Sequence, residues 1–152
     1  MGLKAKDIVN SAEGSAFMTR NGQNIELFYV KNVNAGVDFD VQDLKTLGRR
    51  MTGHKATGMS GSGSMTIYGI TSDFAQMALD FKKNGITPYF NLKLSQEDKE
   101  STVGRQTVML FDCLTSSIPL FDMDIDDPII EQEVEYTFDD FDIPEKFKRP
   151  KM

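Results

Sequence analysis

Three groups of residues have types and spacings that could do chemistry. Asp122, Asp124 and Asp126 stand at the spacing of the first three ligands of an EF-hand calcium loop, and Glu133 falls at its twelfth position. Such a set would hold a hard cation through carboxylate oxygens. The pattern breaks at the sixth position, where the sharp turn needs Gly and the chain has Asp127, followed by Pro128. The flanks also read as strands rather than helices, so an acidic loop ending a strand fits better than a calcium site. Cys113 and His54, the single cysteine and the single histidine, are the one thiol–imidazole pair available for nucleophilic catalysis. Cys113 sits in an apolar run where a thiol behaves as a small inert hydrophobe, and His54 sits in a Gly-rich connection. The third group, GMSGSGSMT at 58–66, is glycine-rich but has no Lys after its last Gly and leads into a strand, so it is not a phosphate loop. No catalytic residue, metal ligand or cofactor site is assigned.

The distribution of charge is more informative than any of these groups. The net charge is −6, and from Asp112 to Asp142 there are eleven Asp or Glu residues and no Lys or Arg. The 43–64 stretch, DLKTLGRRMTGHKATGMSGSGS, carries Arg49, Arg50, His54 and Lys55 among its glycines. It reads as a long connection between two strands, and connections of that length are usually functional or disordered. An acidic chain without aromatic residues between its basic ones does not suit nucleic-acid binding. A basic arm on an acidic body suits docking onto something acidic, most economically another copy of itself. There is no run of eighteen apolar residues to span a membrane, and the N-terminus has no apolar signal region, so folding in a cytoplasm is expected. One cysteine excludes an internal disulfide framework.

The elements that must position these residues follow from periodicity. Residues 1–13 read as an N-terminal arm, and 14–152 as a single domain. Ser15–Thr19 and Ile25–Val33 are expected strands joined by Asn21-Gly22, a pair that favours a type I′ hairpin turn. Val37, Phe39 and Val41 alternate with polar residues and predict a third strand, followed after the long connection by a fourth at Ser62–Ile70. Ser72 as N-cap, the Phe74, Met77, Ala78 and Phe81 stripe, and Gly85 as terminator predict the one helix. Strands are expected at Thr87–Leu94, Thr107–Cys113, Ile118–Met123 and Ile130–Phe138. In the last, Ile130, Val134, Tyr136 and Phe138 alternate with outward Glu131, Glu133 and Glu135. Seven or eight strands and one helix predict a mainly β fold, an antiparallel β-sandwich or barrel with one flanking α-helix.

In order and spacing, AEGSAFMTRNGQ at 12–23, LGRRMTGHKATGMSGSGSMTIY at 47–68, KKNGITPYF, SQEDKESTVGRQTV and TFDDFDIPEKF at 137–147 resemble the phage tail tube proteins of the XkdM-like (PBSX-type) family. The resemblance covers nearly the whole chain. It implies a fold related to the inner tube of type VI secretion and hexameric rings whose sheets join into one inner barrel. Those rings would stack into a hollow tube, usually inside a contractile sheath. It implies a sheath protein, baseplate and tail terminator proteins as partners, DNA passing through the lumen without specific binding, and no stable membrane association. It places the protein in a virion tail or tail-like bacteriocin assembled in the host cytoplasm, and implies no enzymatic activity. By matching position, Lys45–Gly63 of the long 43–64 loop and Gly2–Ser15 would contact the next ring.

On this reading the inter-ring contacts are Leu47, Arg49, Arg50, Met51, His54, Lys55 and Met59. Asp122, Asp124, Asp126, Asp127, Glu131, Glu133 and Glu135 form an acidic surface used either for stacking or for lining the lumen. Head-to-tail stacking through unlike surfaces makes filaments, and an acidic lumen would let DNA slide without sticking. Two other classes stay open: a monomeric acidic β-barrel module that holds a basic partner, and a metal-dependent hydrolase using the 122–133 carboxylates.

Overall fold

The computed structural model describes residues 4–8 and 14–149. Of the N-terminal arm expected at 1–13, residues 4–8 are among them, with a 3-10 turn at Ala5–Asp7; of the contact segment expected at Gly2–Ser15, residues 2–3 and 9–13 lie outside the described residues.

Among the described residues, eight antiparallel strands and one α-helix make up the fold. The strands are β1 (Ser15–Arg20), β2 (Gln23–Glu26), β3 (Val30–Leu44), β4 (Gly53–Tyr68), β5 (Phe90–Glu97), β6 (Arg105–Thr115), β7 (Glu131–Phe138) and β8 (Asp140–Glu145). The helix α1 (Asp73–Asn84) lies between β4 and β5. The strand order is β2-β1-β5-β6-β7-β4-β3, with β8 paired to β6. This is the mainly β, antiparallel fold with one helix that the periodicity predicts.

β6 joins the two halves. Its residues up to Cys113 pair with β5, while Leu114 and Thr115 pair with Thr137 and Tyr136 of β7. At the corner Asp112 adopts a positive φ of 52°, and its N–H is taken by the Asn91 side-chain oxygen at 3.0 Å. The register shift between Phe90 and Leu92 marks the same place, as expected where a bulge re-aims a strand. The folded sheet encloses one core: Met18, Leu92 and Leu110 from one half meet Met65, Val134 and Tyr136 from the other.

Asn21 and Gly22 both have positive φ, 53° and 77°, so the β1–β2 turn forms as its sequence requires. The single strand expected over Ile25–Val33 is interrupted by a turn after Glu26. Leu27 and Tyr29 turn into the core there and leave Phe28 exposed. In α1, Phe74 and Met77 are buried as expected, but Phe81 is exposed. Ser72 makes no side-chain cap bond; Asp73 instead accepts the Tyr29 hydroxyl at 2.6 Å. Gly85 ends the helix at φ 68°. No strand forms at Ile118–Met123; residues 116–130 have irregular backbone.

The largest correction concerns 43–64. It is not a structureless connection. β3 continues to Leu44 and β4 begins at Gly53, so only residues 45–52 form a turn and the rest is a paired hairpin. The Gly/Ser alternation that reads as flexible linker is a strand paired with β3, with Ser60, Ser62 and Ser64 on its polar face and Gly61 and Gly63 on the other. A Cβ on Gly61 would strike the Phe138 ring, and one on Gly63 would strike the Asn34 carbonyl and the Tyr136 ring. Glycine in a strand marks such close approach.

Candidate assembly surfaces

The β3–β4 hairpin is longer than the sheet that supports it. β7 pairs with β4 only from Gly61 (opposite Phe138) to Tyr68 (opposite Glu131). Gly53–Ser60 therefore pair with β3 alone and project beyond the sheet as an arm. At about 3.3 Å per residue the eight residues reach about 26 Å. A bulge at Asp40/Val41 interrupts the arm's register, and there Thr57 donates its hydroxyl to the Asp40 carbonyl at 3.2 Å.

The arm's two faces differ. Phe39 and Met59 are directly opposed, and with Val41 they extend the face that lower in the hairpin packs in the core. Here the described residues leave them about half exposed or more, Phe39 at 60%. Leu47 and Met51 stand fully or largely exposed in the turn. All seven residues expected to make inter-ring contacts lie on this one arm. Leu47, Arg49, Arg50 and Met51 are in the turn, and His54, Lys55 and Met59 are on β4. His54 Nε2 lies 3.5 Å from the Asp43 carboxylate across the hairpin. Among the described residues, Lys45, Arg49, Arg50 and Lys55 have no ion-pair partner.

The acidic residues grouped together in the sequence separate into two surfaces. Glu131, Glu133 and Glu135 lie on the outer face of β7, opposite Tyr68, Thr66 and Ser64 of β4. Asn32, Asn34, Asp38 and Asp40 of β3 continue the same face. Asn34 and Ser64 exchange hydrogen bonds of 3.0 and 3.2 Å there, and Lys31 pairs with Glu131 at 2.9 Å. That contact raises the Lys31 pKa through the Glu131 hydrogen bond and charge. The result is a polar, carboxylate-rich sheet face.

Asp122, Asp124, Asp126 and Asp127 belong to the irregular 116–130 segment instead. Asp122 accepts from the Gln132 side-chain amide at 3.2 Å, and Asp124 from the Asp126 N–H at 3.0 Å. Apolar residues alternate with these carboxylates and face solvent: Phe121 is 77% exposed and Ile125 95%. Among the described residues, no three Asp, Glu, His or Cys side chains converge as a metal site. Cys113 is fully buried in β6 while His54 is on the exposed arm, so the structure does not bring them together. Burial pushes the Cys113 thiol up to about 12.

Sequence reasoning missed Phe39 and Val41, which alternation assigns to a buried face, and the exposed Phe121, Met123 and Ile125. The apolar–Asp alternation over 121–126 was the available signal: at strand period it gathers Phe121, Met123 and Ile125 on one face, opposite Asp122, Asp124 and Asp126. No helix among the described residues is long and apolar enough to cross a membrane.

A family model described as phage tail tube protein matches residues 1–145. The chain is 38% identical over 146 residues to the phage-like element PBSX protein XkdM of Bacillus subtilis (strain 168), covering 96% of this chain and 97% of that protein. It is 38% identical over 148 residues to the uncharacterized protein YqbM of the same organism, covering 97% and 98% of the two chains. Two solved structures share its fold at low identity. One is a chain of the sheath–tube complex of an extracellular contractile injection system in its extended state, with TM-score 0.64 and 12% identity over 91% of this chain and 93% of that chain. The other is a chain of the anti-feeding prophage tube-terminating cap, with TM-score 0.64 and 10% identity over 94% of this chain and 93% of that chain.

Proposed function

The chain belongs to the phage tail tube protein family, and on that premise we propose that copies of it close side by side into hexameric rings that stack into the hollow inner tube of a phage tail or tail-like particle. The observation that carries this reading is the edge strand β3. It is fifteen residues long, pairs only with β4, and leaves its outer row of N–H and C=O groups without a strand partner among the described residues. A long unpaired edge templates pairing with another chain, and closing a ring removes it.

With the rings so closed, the polar face of β3, β4 and β7 lines the channel. Its carboxylates, Asp38, Asp40, Glu133 and Glu135 among them, repel DNA phosphates and allow passage without adhesion. The protein then acts as scaffold and conduit, with no catalytic step. A sheath protein encloses the tube, and baseplate and terminator proteins close its ends, the assembly taking place in the host cytoplasm. The alternative reading, a monomeric acidic module for a basic partner, leaves both the β3 edge and the arm's apolar face uncovered.

Negative-stain electron microscopy of the purified protein tests the reading. Hollow six-fold rings or tubes are the expected result. A monodisperse monomer at all concentrations and salt conditions would overturn it.

A further inference from the structure

The arm and the 116–130 segment lie at opposite ends of one sheet. The arm leaves the sheet past Gly61, where Phe138 ends β7. The 116–130 segment enters β7 at the Tyr68 end of β4: the Ile130 carbonyl accepts the Gly69 N–H at 3.0 Å, and Asp122 is held by Gln132. A second copy translated along the strand direction therefore brings its arm towards this segment.

The two surfaces complement each other in both charge and hydrophobicity. The arm's turn and β4 strand, Leu44–Ser60, carry Lys45, Arg49, Arg50 and Lys55 with no Asp or Glu, its β3 strand carries Asp38, Asp40 and Asp43, and 116–130 carries four Asp with no Lys or Arg. Each presents large apolar side chains that its own subunit leaves in solvent: Phe39, Met51 and Met59 on one, Phe121, Met123 and Ile125 on the other. Exposed apolar groups rimmed by charge mark protein–protein contact, and complementary charge fixes register and partner.

We propose that the β3–β4 arm of one copy docks on the Leu120–Ile129 segment of the next copy. In this contact Arg49, Arg50 and Lys55 meet the Asp122–Asp127 carboxylates, and Phe39 and Met59 cover Phe121 and Ile125. This rests on the reading of stacked rings and adds the receptor to it. The acidic residues of the 131–135 sheet face take no part in the contact. An irregular segment can accept the arm without disturbing the ladder hydrogen bonds of the body.

The test uses sedimentation and electron microscopy of the full chain. Arg49→Glu with Arg50→Glu is expected to leave the subunit folded and ring-forming, while raising the concentration needed for tubes at least about tenfold; exposed charge changes seldom cost much stability. Adding Asp124→Arg and Asp126→Arg to that chain is expected to restore tubes, whereas Glu133→Arg with Glu135→Arg is not. In assembled tubes of a Met51→Cys, Met123→Cys chain, mild oxidation is expected to link neighbouring subunits. Tubes that form normally from the Arg49→Glu, Arg50→Glu chain, or that stay unlinked in the cysteine chain, would overturn the docking alone. Wild-type protein that forms neither rings nor tubes would overturn the assembly reading and the docking with it.

Discussion

Tyr136 on β7 donates its hydroxyl to the main-chain carbonyl of Asn34 on β3 at 2.6 Å, passing over the intervening strand at Gly63 to reach it. One side chain thus ties three adjacent strands together at the root of the arm. Burial raises the Tyr136 pKa above the usual phenol value, so the donor stays protonated at neutral pH. Tyr136→Phe keeps the ring over Gly63 and removes only this bond. A loss of about 0.5–1.5 kcal/mol in urea unfolding is expected, with the arm's root opening sooner than the rest of β4.

Adding one methyl group under that ring is expected to do more harm. Gly63→Ala would place a Cβ against both the Asn34 carbonyl and the Tyr136 ring, and Gly61→Ala would place one inside the Phe138 ring. Either should destabilise by about 1–3 kcal/mol through overpacking. Gly36→Ala is the control, since nothing lies within 4 Å of its Cβ position. It should be neutral or stabilising by about 0.4–1 kcal/mol. Equal effects at the three positions in denaturant titrations would contradict this account of the glycines.

Stability should fall at alkaline pH. Burial pushes the Cys113 thiol from its ordinary 9.0 up to about 12, and burial raises Tyr29 and Tyr136 above their ordinary 10.0. Between those values the unfolded chain has released protons that the native state still holds, so stability declines as pH rises. The decline begins near pH 9 with Cys113, and the tyrosines join it above pH 10. Thermal melts from pH 7 to 11 should show this, and Cys113→Ala should remove the first part of the decline. The native thiol should resist thiol reagents at pH 8, with labelling tracking unfolding.

Hydrogen exchange should divide β4 into two. In the isolated subunit, Gly61–Tyr68 are paired on both sides and should be well protected, while Gly53–Ser60 are paired on one side and should exchange faster. In assembled tubes the arm should gain protection while the root changes little. Equal protection along the whole of β4 in the free subunit would contradict the division.

Much of the fold was legible because the chain states it locally. Asn21-Gly22, the Phe74 and Met77 helix face with Gly85, and the alternation of Val134, Tyr136 and Phe138 each point to one structure. The hairpin was not legible, because what makes a strand of Gly53–Ser64 lies elsewhere in the sequence. Its partners are β3 and the rings of Tyr136 and Phe138, about seventy residues on, and composition alone reads as linker. Arg49, Arg50, His54 and Lys55 were singled out by charge, but that they share one hairpin arm was not legible. The sequence could not show that the Asp122–Asp127 and Glu131–Glu135 carboxylates occupy different surfaces, because that depends on where irregular backbone ends and β7 begins.

The placement of the arm and the Leu120–Ile129 segment at opposite ends of the sheet gives each subunit a direction. Two copies meeting arm to arm would bring cation against cation, and two meeting segment to segment would bring carboxylate against carboxylate. With the proposed docking, a filament built from this chain is a vector with unlike tips, one exposing Arg49 and Arg50 and the other the Asp122–Asp127 carboxylates. Growth cannot be mirror-symmetric about a seed, and two finished fragments can join only in one of their possible orientations. Whatever begins such a filament must offer the chemistry of one tip, and whatever ends it must offer the chemistry of the other, so one protein cannot serve at both.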